Sequence, residues 1–200
     1  MLCMKLAFAF QDYQFLLDDA AISDDDKGIF KRILGRTASM DETKSCFLLL
    51  TRMLEIHFKK SAVVILDEYD VPIAKASSNG YYSQMLDVMR AMMSTTLKDN
   101  TSLDFAVVTG CLKIAKESIF TGTNNFVSDT ILSPRLSESF GFTQAAVDQM
   151  LKDAGLESQS AEIKAWYNGY HFGDADIYCP WDVTVSYTHL RAHETLANLV

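Results

Sequence analysis

The stretch Val63-Val64-Ile65-Leu66-Asp67-Glu68-Tyr69-Asp70 limits what this chain can fold into more than any other. Four consecutive apolar residues, three of them β-branched, run straight into acids. A half-exposed strand would alternate apolar with polar residues, so this run predicts a strand inside a parallel sheet covered by helices on both faces. Open parallel sheets bind ligands beyond the carboxyl ends of their strands, which puts Asp67 and Glu68 where chemistry is done. The pair has the form of a Walker B element, in which an aspartate holds a nucleotide's magnesium and the next glutamate orients the attacking water. A strand that simply ends in surface acids has the same pattern.

The 200 residues suffice for one domain or one and a half with a substantial core. A formal net charge of -8 argues against a surface that coats nucleic acid. Cys3, Cys46, Cys111 and Cys179 are far apart and form no CxxC, which predicts free thiols in a reducing cytoplasm. The histidines form no HExxH pair, so no structural metal is expected. No apolar run approaches the roughly 20 residues needed to span a bilayer. The apolar start reads as a sheet strand over Leu6 to Phe10.

Along the chain, Ser23-Asp24-Asp25-Asp26 predicts a capped helix start, and Ile29, Phe30, Ile33 and Leu34 give the apolar face of a helix ending near Gly35. A second helix is expected from Ser39 or Asp41 to Phe58, closed by Lys59-Lys60, with its apolar face on the sheet. Val71-Pro72-Ile73 leaves the sheet, and Ser77 to Gly80 reads as a turn. Tyr81 to Leu97 reads as a helix whose methionine stripe fills the core. Leu103 to Gly110 is a second buried strand that places Thr109 at the ligand edge, where it can sense a terminal phosphate or cap the strand. Leu112 to Phe120 looks helical and Thr121 to Asn125 a loop. Arg135 has two readings, a finger on a transferring phosphate or a partner of a nearby acid such as Glu138. Thr143 caps a helix ending at Ala154-Gly155, and the pattern near Gly141 turns purely helical, as in a small appended lid.

Several separated stretches together resemble the AAA-ATPase-like family of bacterial and archaeal proteins, often joined to a restriction-type nuclease-like domain. They are Leu66 to Ile73, Thr109 to Asn125, Phe140-Gly141-Phe142-Thr143, Trp166-Tyr167-Asn168-Gly169-Tyr170-His171-Phe172-Gly173, and Ile177 to Trp181. The resemblance implies a P-loop NTPase fold, an α/β architecture of three α/β/α layers, with ATP and magnesium as cofactors. It implies Asp67 as the magnesium-holding residue, Glu68 as the catalytic glutamate and Thr109 at the sensor position. The expected organisation is a partial ATPase core over 1–140, a lid-like region over 141–184 and a tail over 185–200.

The family's phosphate loop, GxxxxGK[ST], is missing from this sequence. Its glycine-loop amides cradle the phosphates and its lysine reaches the β and γ groups. Gly28 to Gly35 followed by Arg36-Thr37 has the wrong spacing and arginine for lysine. The chain is therefore expected to be an N-terminally truncated fragment, inactive alone, whose partners in the intact protein are the missing phosphate-loop segment and a C-terminal nuclease-like domain. Nucleic acid would be met only through that domain. From Val185 to Val200 the sequence looks like one reading frame of a transposon adapter and is expected to be non-native. Two other functions remain open. One is a magnesium-dependent nuclease using Asp67, Glu68 and Asp70 with Lys75 nearby, which Pro72 disfavours. The other is a noncatalytic module presenting Trp166, Tyr167, Tyr170, Phe172 and Trp181, a cluster that more often forms a subdomain core.

Overall fold

The computed structural model describes residues 2–98, 100–111, 127–185 and 188. The chain divides into two compact units, Met1–Asn125 and Phe126–Val200. That division falls before the change of pattern near Gly141.

The first unit opens with α1 (Leu2–Gln11), a helix where a strand was expected. Leucine, methionine, alanine and lysine are strong helix formers, and a short apolar run does not reveal its period. Leu6 and Phe10, one turn apart, point into the core, and the Phe10 ring lies 4.9 Å from that of Phe30. Helix α2 (Asp24–Leu34) starts as expected, with Ser23 Oγ accepting from the Asp26 amide at 3.2 Å and three aspartates in its first turn. The helix expected from Ser39 to Phe58 is two: α3 (Met40–Lys44) and α4 (Cys46–Phe58), broken at Ser45. Ser45 Oγ donates to the Asp41 carbonyl at 2.9 Å, the local side-chain competition that makes serine a poor interior helix residue. Lys59 closes α4 in the left-handed region, at φ 54.

Strand β1 (Ala62–Leu66) is joined through α5 (Val71–Ser78) and α6 (Tyr82–Leu97) to β2 (Leu103–Val108), which pairs with it in parallel. α5 is a helix the sequence reading missed; Pro72 sits in its first turn, where a missing N–H does no harm. Val88, Met89, Met92 and Met93 of α6 are buried with Leu49, Leu50 and Met53 of α4, so the methionine stripe does fill the core. Burial pushes the Cys46 thiol there up to about 12.

The sheet departs from expectation on one face. α4 packs on β1 and α6 on β2, and Leu66 joins the core beneath them. The opposite face carries Val63, Ile65, Phe105 and Val107, which are 46%, 74%, 54% and 44% exposed. Among the described residues the chain is thus mixed α/β with a two-stranded parallel sheet and one helical layer, and the three layers of a P-loop NTPase are not all present. The expected helix over Leu112 to Phe120 and loop over Thr121 to Asn125 lie outside the described residues.

The second unit contains α7 (Gln144–Ala154), α8 (Ser160–Tyr167) and the antiparallel hairpin β3 (Tyr170–Phe172) and β4 (Ala175–Ile177), with residues 180–185 helical. It is not purely helical. Thr143 caps α7 through the Ala146 amide at 3.2 Å, and Gly155 ends it in the left-handed region, as expected. Val147, Leu151, Leu156, Ile163, Tyr178 and Val183 form the core. Trp166 and Trp181 are 72% and 75% exposed, so they are not the subdomain core that their number suggested. Tyr178 fills that place instead, with its hydroxyl donating to Gln144 Oε1. The expected tail from Val185 lies almost wholly outside the described residues. Among the described residues no helix is long and apolar enough to cross a membrane.

Candidate functional site

The two parallel strands end side by side. Leu66 is in register with Val108, and the ladder continues one step further, with the Thr109 amide donating to the Leu66 carbonyl at 2.9 Å and the Tyr69 amide to the Thr109 carbonyl at 3.1 Å. This brings Asp67 and Thr109 together at the carboxyl edge of the sheet. The Thr109 hydroxyl donates to Asp67 Oδ1, and the Glu68 amide donates to the same oxygen at 2.9 Å. Among the described residues the other oxygen of Asp67 accepts no hydrogen bond, and the side chain is exposed.

Glu68 is also exposed, and its backbone is left-handed, at φ 53. A non-glycine residue in that region is strained and persists only where its surroundings fix it. The conformation turns the chain out of β1. The Val71 amide then reaches back to the Glu68 carbonyl at 3.1 Å, and the Ala74 amide to that of Asp70 at 2.9 Å, starting α5. No residue pattern signals this strain, because a run of Asp-Glu-Tyr-Asp does not specify a left-handed position.

Asp70 is 3% exposed and lies against Gly110. Among the described residues no three His, Cys, Asp or Glu side chains group closely enough to hold a metal ion. The carboxylate cluster that the nuclease reading needs from Asp67, Glu68 and Asp70 is therefore not formed. A magnesium ion bound to a nucleotide makes a smaller demand, since it keeps several waters and takes only one or two carboxylates. An exposed Asp67, oriented through one oxygen and with no bond at the other among the described residues, fits that demand.

Arg135 belongs to the second unit, in the short turn Pro134–Leu136. Its guanidinium pairs with Asp129, not with Glu138, and Nε donates to Asp129 Oδ2 at 2.9 Å. The pairing holds the Asp129 carboxyl below the usual carboxylate range.

Comparison with known proteins gives this site a context. A family model described as "Predicted AAA-ATPase" matches residues 12–120. The chain is 30% identical over 156 residues to the "Uncharacterized protein in vnfD 5'region" of Azotobacter chroococcum mcd 1, a match covering 78% of this chain. The match spans 30% of the length of that curated relative. No solved structure matches the chain.

Proposed function

Because the chain belongs to the family of predicted AAA-ATPases, we propose that the carboxyl edge of its parallel sheet is the Walker B half of an ATP-hydrolysing site. The observation that carries this reading is the hydrogen bond from Thr109 to Asp67 across two adjacent parallel strand ends. Asp67 would hold magnesium through water, Glu68 would orient the attacking water, and Thr109 would fix the Asp67 carboxylate while sensing the terminal phosphate. Bound magnesium would neutralise charge on the triphosphate.

The phosphate-cradling string GxxxxGK[ST] is absent from the 200-residue sequence. We place that loop elsewhere in the whole protein, and the curated relative extends well beyond the matched stretch. The exposed apolar face of β1 and β2 supports the same view, because a P-loop sheet carries helices on both faces. An attached nuclease-like domain would be the route to any nucleic acid. Arg135, held by Asp129 in the second unit, is a weaker candidate for a phosphate finger than its position in the sequence suggested. Four free thiols fit a cytoplasmic setting.

Calorimetric titration of the 200-residue chain with magnesium-ATP is expected to show no tight binding. In a whole family member, the change matching Glu68→Gln is expected to leave ATP binding intact and to lower kcat by at least 100-fold, about 2.7 kcal/mol. Unchanged hydrolysis would remove Glu68 from this role.

A further inference from the structure

Glycine at position 110 has no conformational reason to be there, because its backbone is not among the left-handed glycines of the chain. It has a spatial one. A Cβ on Gly110 would lie 2.6 Å from Tyr69 Cε1 and 2.7 Å from Asp70 Oδ1, closer than real Cβ atoms come to anything. The bare Cα at the end of β2 therefore receives the edge of the Tyr69 ring and the Asp70 carboxylate.

The two residues that press on it are held from the other side. Tyr69 packs on the main core of the unit, and Asp70 is buried at the start of α5. The Tyr69 amide is bonded to the Thr109 carbonyl, and Asp67 receives the Thr109 hydroxyl. Glu68 thus lies between two residues that are both tied to the end of β2, and it is the one in the left-handed region. A strained backbone of this kind lasts only while its neighbours over-determine it.

We propose that Gly110 is a positioning residue for Glu68: by having no side chain it admits Tyr69 and Asp70 against the end of β2, and this wedge keeps Glu68 in its left-handed conformation at the edge of the sheet. The consequence for hydrolysis rests on the reading of Glu68 given above; the consequence for conformation does not. Gly110 touches no reacting atom in this scheme and acts only through the loop it lets in.

The test is Gly110→Ala in the 200-residue chain, read by NMR. Amide exchange at Tyr69 and Val71 is expected to accelerate at least tenfold, and the backbone coupling and carbon shifts of Glu68 are expected to leave left-handed values. The Ala62 amide, bonded to the Ser102 carbonyl at 2.8 Å at the far end of the strand pair, is expected to keep its protection. Gly169→Ala, where a Cβ meets nothing within 4 Å, is expected to change none of these readings. If Gly110→Ala does not fold, Tyr69→Ala removes the wedge from the other side and is expected to release Glu68 in the same way. A folded Gly110→Ala or Tyr69→Ala chain with Glu68 still left-handed and exchange within twofold of wild type would overturn the proposal. In a whole family member the matching glycine-to-alanine change is expected to lower kcat at least tenfold with KM for ATP within twofold; a KM effect alone would count against it. Should the Glu68→Gln match leave hydrolysis intact while Gly110→Ala still releases Glu68, the catalytic reading fails and the wedge stands.

Discussion

Glu68 holds φ 53 without being glycine, which strains the folded state by about 1 kcal/mol or more. Glu68→Gly is therefore expected to stabilise the chain by about 1 kcal/mol in chemical denaturation, even though it deletes the carboxylate on which the proposed hydrolysis depends. Destabilisation would mean that the side chain makes contacts outweighing the strain. Thr109→Val keeps the shape and β-branching of the residue but loses the bond to Asp67, and a loss of about 1 kcal/mol is expected, since both groups are exposed. At this scale the placement of Asp67, Glu68 and Thr109 at two strand ends was legible, because strand ends can be read from apolar runs. The left-handed backbone at Glu68 was not, because its neighbours in sequence do not specify it, and the tight approach at Gly110 was not, because it arises between segments far apart in sequence.

Among the elements, α3 shows how local chemistry sets a boundary. Ser39 Oγ accepts the Glu42 amide at 3.2 Å while Glu42 Oε2 accepts the Ser39 amide at 2.8 Å, a reciprocal capping box. Arg32 of α2 donates to the same carboxylate, and with the Ser39 amide it holds the Glu42 carboxyl down at about 2, below the ordinary 4.5. The stabilisation is therefore fully present above pH 4.5 and is lost as pH falls towards 2. Melting curves of wild type and Glu42→Gln are expected to differ most near neutral pH, to converge by about pH 2, and to draw closer in high salt. Thr143→Ala, which removes the cap of α7, is expected to cost about 1 kcal/mol in the second unit. Caps and glycine stops were legible, and so were α2, α6 and α7. The identity of α1 was not, since an apolar decapeptide fits helix or strand until its partner is known, and α5 hid behind a proline that reads as a break.

At the scale of the whole molecule, one face of the sheet in the first unit is left apolar and exposed. Val63, Ile65, Phe105 and Val107 leave β-branched and aromatic surface on one side of two strands whose other side is packed. Surfaces of this kind promote association. Ile65→Thr, at a position 74% exposed, is expected to change stability by less than about 0.5 kcal/mol and to lower self-association measured by light scattering. The sequence pattern announced apolar residues on both faces but could not say which face this chain itself covers, because that depends on segments the strand does not adjoin.

The hydrogen bond from Thr109 to Asp67 joins residues 42 positions apart, and it forms only once the crossover through α5 and α6 has brought β2 alongside β1. In the unfolded chain the two side chains are strangers. Any ligand that engages both therefore recognises the native state alone, and its binding is coupled to folding by mass action: at 100 times its dissociation constant it raises the unfolding free energy by about 2.7 kcal/mol. A thermal shift is thus a direct assay for occupants of this edge, and its loss in Thr109→Val separates them from ligands bound anywhere else on the molecule.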